Sequence, residues 1–255
     1  MQLLESLKER KKQRKILLMT HIVVGYPNLE KSLELVDTMV RAGVDLMELQ
    51  IPFSEPIADG PVILHANQAA LKAGITVERC FSFAREVTKR YSIPFLFMSY
   101  YNILFKRGVR QFVADSRDAG LTGAIVPDCP PEEGEEYVAC MRASGLSPIF
   151  IFSPRTSDAR LASLGRAGDG FVYAVARKGV TGSNTEFGDE LEQYLARCRR
   201  ATDLPLAVGF GLKSRADVDF LIGKADIAVV GSESLRLLDE GGVGAVGEFL
   251  AGLRD

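Results

Sequence analysis

Val44-Asp45-Leu46-Met47-Glu48-Leu49-Gln50-Ile51-Pro52-Phe53-Ser54-Glu55-Pro56-Ile57-Ala58-Asp59-Gly60-Pro61 joins a short apolar run to a loop stiffened by prolines. Asp45 alone interrupts residues 44–47, Glu48 follows with a carboxylate, and Asp59 brings a second one just ahead of Gly60-Pro61. An apolar run of this length fits a parallel strand buried on both faces. A strand end bearing one acid, followed by a rigid loop bearing another, suits proton transfer.

The run is one of a series. Strand-length apolar segments recur at Leu17–Val24, Val44–Leu49, Pro94–Ser99, Gly123–Val126, Pro148–Phe152, Phe171–Val175, Leu206–Val208 and Ile227–Val230. Between them Leu29–Ala42, Glu78–Lys89, Val109–Ala119, Glu132–Ala143, Asp158–Ala167, Asp189–Arg200, Ser214–Ile222 and Val243–Leu253 repeat apolar residues at helical spacing. Gly43, Gly120, Gly145 and Gly223 stand where left-handed helix caps belong. Strands alternating with helices and no Pro/Ser-rich linker predict a single (β/α)8 TIM barrel over residues 1–255. A doubly wound open sheet is the competing architecture, but Gly25-Tyr26-Pro27 after the first strand does not match a dinucleotide-binding fingerprint. The longest interval, residues 50–93, holds the opening loop and an extra helix over Val62–Lys72. A second extra helix is expected at the N-terminus, before the first strand. Loops after strands build the active site of such a barrel, so the long one is the first place to look.

Composition removes several classes of function. A net charge of −2 gives no general attraction to nucleic acid or to an anionic membrane. Cys80, Cys129, Cys140 and Cys198 lack Cys-x-x-Cys spacing and read as reduced thiols of a cytoplasmic protein. Basic residues 8–15 ahead of apolar residues 16–24 imitate a signal peptide. Thr20 and His21 within the apolar stretch, and Glu5 and Glu9 before it, favour a helix leading into a buried strand. No segment reaches the roughly 20 apolar residues of a membrane helix.

Along the second strand Leu46, Glu48 and Gln50 share one face, and Met47, Leu49 and Ile51 the other. The apolar face belongs under the helices, which turns Glu48 and Gln50 toward the barrel interior near its top. Desolvation there raises a carboxylate's pKa and suits it to accept and donate protons near neutrality. The competing structural role is pairing with a buried arginine, weakened by the lack of Lys or Arg in the interior runs. Asp59 before Gly-Pro admits both a catalytic role and simple turn fixing. Gly179-Val180-Thr181-Gly182, Gly209-Phe210-Gly211 and Gly231-Ser232 follow the last three strands. Ser232 can begin a helix over Glu233–Leu238. Three such loops at one barrel mouth predict a phosphate site. With His21 and His65 as the only histidines, no metal-ligand spacing exists, and Lys178 and Lys213 lie beyond strand ends, unsuited to Schiff-base chemistry. Tyr100, Phe171, Tyr173 and Phe210 are candidates for an aromatic pocket, with core packing as their alternative. The sum is cofactor-free acid/base chemistry on a phosphorylated substrate.

These residues resemble the tryptophan synthase α subunit family essentially end to end. Glu48 to Pro61 is the most specific part. Gly25-Tyr26-Pro27, Tyr100-Tyr101-Asn102, residues 126–133, residues 170–173 and the three glycine loops support it. The resemblance implies a lyase that cleaves indole-3-glycerol phosphate to indole and glyceraldehyde 3-phosphate. It further implies an α2β2 assembly whose β subunit receives the indole and alone uses pyridoxal phosphate. It assigns Glu48 as general acid/base and Asp59 as acceptor of the indole N–H. Thr181, Tyr173, Phe210, Tyr100 and His21 become substrate-positioning residues, and Gly182, Gly211, Gly231 and Ser232 phosphate-binding ones.

The chain departs from the family's usual residues at Gln50 (Gly), Glu55 (Asp), His21 (apolar or aromatic), Ala176 (Ser) and Glu233 (a small residue). Gln50 is expected either to crowd the pocket or to hydrogen-bond Glu48. Two other readings are a divergent barrel enzyme acting on another phosphorylated substrate, and a non-catalytic barrel that activates a β-type subunit.

Overall fold

The computed structural model describes residues 3–176 and 184–254. Eight parallel strands close into a barrel in chain order: β1 (Leu17–Val23), β2 (Leu46–Gln50), β3 (Phe95–Met98), β4 (Gly123–Ile125), β5 (Ser147–Phe152), β6 (Val172–Val175), β7 (Leu206–Gly209) and β8 (Ile227–Val230). β1 pairs with both β2 and β8, which completes the ring. Around it stand α1 (Leu3–Lys11), α2 (Leu29–Arg41), α3 (Pro61–Lys72), α4 (Val77–Arg90), α5 (Tyr101–Arg107), α6 (Val109–Asp118), α7 (Glu135–Ala143), α8 (Asp158–Ala167), α9 (Asn184–Ala201), α10 (Arg215–Leu221) and α11 (Ser232–Gly252). The extra helices expected at the N-terminus and after the second strand are α1 and α3. The four cap glycines adopt positive φ, at 86°, 78°, 71° and 82° for Gly43, Gly120, Gly145 and Gly223.

Strand alternation sorts the core into two layers. Leu46 joins Leu17, Met19, Leu96 and Phe171 inside the barrel, while Met47, Leu49 and Ile51 pack under the helices. Leu3 and Leu7 of α1 also belong to the interior cluster, each 1% exposed. A Cβ on Gly170, just before β6, would stand 2.7 Å from Leu3. The N-terminal helix therefore closes the barrel floor, opposite the strand ends that form the mouth. Asp45, the polar interruption of the opening stretch, is explained at this lower end. Its Oδ2 accepts from the Leu18 N–H at 2.8 Å and from Arg254 Nη2 at 2.6 Å.

Four elements differ from expectation, among them α9, which begins at Asn184 rather than Asp189. α7 begins at Glu135 rather than Glu132, because Glu133 and Gly134 both donate to the Pro130 carbonyl in a turn that follows the prolines. α5 was not expected: seven residues are too few for clear periodicity. Its first N–H, on Tyr101, is held by Asp128 Oδ1 at 2.8 Å, a tertiary contact. The two helices expected over Glu233–Leu238 and Val243–Leu253 are one run, α11, that kinks at Gly242.

Candidate active site

β2 turns Glu48 and Gln50 into the barrel, and β1 presents His21 directly opposite Glu48 in register. His21 Nδ1 lies 2.7 Å from Glu48 Oε1, with the two residues only 2% and 4% exposed. Glu48 is thus paired inside the barrel, by an imidazole rather than an arginine. Burial opposes charging that imidazole, yet Glu48, Asp59 and Gln50 outweigh it and hold the His21 pKa above its ordinary value.

Beyond β2 the chain turns so that Asp59 N–H meets the Pro56 carbonyl at 3.0 Å. The half-buried Asp59 is held by Gln50, whose Nε2 donates to its Oδ2 at 2.6 Å. Gln50 therefore bonds Asp59, and not Glu48 as in one of its two expected effects. It can, because the loop folds back over the same barrel face. Burial raises the Asp59 pKa, Gln50, His21 and Tyr100 oppose the rise, and the Glu48 charge adds to it.

Two further side chains fix this loop. Asn67, fully buried on α3, accepts the Phe53 N–H at 2.9 Å and donates to the Ile63 carbonyl at 2.8 Å. The Tyr100 ring stacks on Phe53 with centroids 5.0 Å apart, and its hydroxyl accepts the Ala58 N–H at 3.1 Å. Sequence reasoning missed Asn67. Its sequence carried no clear signal, since Asn67 stands between His65 and Gln68 in a polar patch of α3.

Tyr173 on β6 packs against the interior cluster, and its hydroxyl pKa is pushed well up by burial and by the Glu48 and Asp59 charges, so it shares their cavity. Gly209 on β7 leaves it room: a Cβ there would stand 3.1 Å from the Tyr173 hydroxyl. Phe210 is not brought to the carboxylates. It packs in the helix-facing layer, edge-on to Phe220 of α10 at 6.5 Å, because strand alternation turns it outward from Gly209.

At the mouth, Gly211 is exposed with φ +82°, a conformation that a side chain would strain. Gly231 caps the N-terminus of α11 and Ser232 starts the helix, exposed. That end of a helix favours an anion. Glu233 in the same turn would oppose one, but its carboxylate is bound by Arg236 at 2.5 Å. Thr181 and Gly182 lie outside the described residues. Among the described residues no His, Cys, Asp and Glu group is arranged to hold a metal ion, and no helix is long and apolar enough to cross a membrane.

A buried carboxylate and a half-buried one, each with its own hydrogen-bond partner, thus stand at the barrel mouth, where α11 also begins. The family profile described as tryptophan synthase alpha chain matches residues 7–246. The chain belongs to the tryptophan synthase alpha chain family. It is 60% identical over 249 residues to the tryptophan synthase alpha chain of Syntrophotalea carbinolica, covering 98% of each chain. With that of Desulforapulum autotrophicum it shares 62% over 247 residues, covering 97% of this chain and 98% of the relative. The solved tryptophan synthase subunit alpha of Legionella pneumophila superposes with a TM-score of 0.90 at 29% identity, over 100% of this chain and 97% of that one. A chain of the tryptophan synthase complex of Pyrococcus furiosus gives 0.85 at 30% identity, over 92% and 96%. His21, Gln50 and Glu233, read from the sequence as departures, each have a partner: Glu48, Asp59 and Arg236 respectively.

Proposed function

We propose that this member of the tryptophan synthase alpha chain family cleaves indole-3-glycerol phosphate to indole and glyceraldehyde 3-phosphate. The convergence of Glu48 and Asp59 on one cavity, each held by a side chain, carries the reading. Glu48 gives a proton to C3 of the indole ring, and Asp59 accepts from the ring N–H as positive character develops there. The hydroxyl on the carbon attached to the ring then loses its proton and becomes the aldehyde carbonyl. The electrons of the breaking C–C bond return to the ring, and indole leaves.

Tyr173, Thr181, Tyr100 and His21 position the substrate, and Phe210 does so through the loop at the end of β7. Gly182, Gly211, Gly231 and Ser232 bind the phosphate through backbone N–H groups. The chain acts as one barrel domain in the cytoplasm and needs no cofactor of its own. Indole passes to a β subunit, which carries pyridoxal phosphate, in an α2β2 assembly. The exposed Glu55 and Ile57 of the loop after β2 offer a face for that partner.

The purified chain should release indole from indole-3-glycerol phosphate, faster when a β subunit is added. No release in either condition would overturn the proposal. Activation of the β subunit without indole release would favour a non-catalytic role.

A further inference from the structure

Asn67 fixes more than the loop. Its Oδ1 must be an acceptor, because it takes the Phe53 N–H, while its Nδ2 donates to the Ile63 carbonyl. Gln50 faces both that oxygen, at 3.4 Å, and Asp59 Oδ2, at 2.6 Å, so its amide nitrogen points to them. Gln50 Oε1 is then left as an acceptor. It and His21 Nε2 are buried atoms with no hydrogen-bond partner. With a proton on Nε2, the imidazole keeps Nδ1 for Glu48. That nitrogen, 2.7 Å from Glu48, then either donates to a carboxylate or accepts from a carboxylic acid. Both descriptions contain the same number of protons.

We propose that His21 and Gln50 are positioning residues for the two carboxylates: His21, 2.7 Å from Glu48, shares a single transferable proton with it, and Gln50 holds Asp59 at 2.6 Å. The proposal rests on the lyase reading above. The shared proton leaves through Glu48 to the ring carbon, and the proton lost by the substrate hydroxyl returns to the pair, so one turnover restores it. Gln50 keeps Asp59 turned toward the substrate N–H while remaining neutral. The ionisable groups that act on the imidazole are Glu48 on β2 and Asp59 in the following loop; Tyr173 on β6 faces both carboxylates and Tyr100 after β3 faces Asp59. From β8 comes the Gly231 backbone, whose Cβ position is 3.8 Å from the His21 Cβ.

With two histidines in the chain, imidazole NMR isolates His21, and exposed His65 supplies the second signal. His21 should titrate above its ordinary value of 6.5, and Glu48→Gln should lower its midpoint by about one pH unit or more. His21→Asn preserves an N–H toward Glu48 but cannot store a proton. It should move the alkaline limb of kcat for indole release about one unit or more toward acid, with KM changed less than about threefold. An unchanged His21 midpoint in Glu48→Gln, or an alkaline limb that coincides in parent and His21→Asn, would overturn the proposal. A parent chain that releases no indole defeats the lyase reading alone, and the NMR titration then decides the pair by itself.

Discussion

Gln50 shows how one residue changes the chemistry of another at a distance of 2.6 Å. Asp59 must be ionised to accept an indole N–H, and burial already raises its pKa above the ordinary aspartate value of 3.8. Gln50 works against that rise by donating to the charged form. Gln50→Ala should therefore raise the Asp59 pKa further and move the acid limb of the kcat/KM profile to higher pH. Turnover well above that limb should change less than about tenfold. An acid limb that stays in place would show that Gln50 does not control Asp59. The inward direction of Glu48 and Gln50 followed from period-2 alternation alone. What Gln50 would touch did not, because that depends on where a nine-residue span of loop brings Asp59 back.

At the scale of elements, strands and long helices were legible because each carries its own periodicity and caps. α5 was not, since its start is set by Asp128 from another loop. The role of α1 was also hidden: its sequence suggested an amphipathic helix but not what it covers. Leu3 and Leu7 now define the barrel floor. Leu7→Ala should lower unfolding free energy by about 2–4 kcal/mol in urea titrations. A change below about 0.5 kcal/mol would mean that α1 lies on the barrel without sealing it. The phosphate loops sit between these cases. Their glycines were visible in sequence, and Gly211 and Gly231 reach the mouth, but the arrangement of backbone donors depends on the whole ring of strands.

The whole molecule is held together by contacts far apart in sequence. Arg254, near the end of α11, reaches Asp45 at the start of β2 and the Gly43 carbonyl beside it. This tie lies at the floor, away from the mouth. Arg254→Ala leaves the buried Asp45 carboxylate with only the more distant Arg14, at 3.9 Å, as a charged partner and should cost about 2–4 kcal/mol of stability, while indole release under native conditions persists. A stability loss below about 0.5 kcal/mol would remove the pair from the account of the fold.

The central claim is that Glu48 supplies the proton on which C–C cleavage depends. Steady-state indole release from indole-3-glycerol phosphate by Glu48→Gln, beside the parent chain, tests it most directly. The isosteric amide fills the same space beside His21 but cannot transfer the proton, so kcat should fall by about 100-fold or more with the fold intact. Turnover equal to the parent's would contradict the claim.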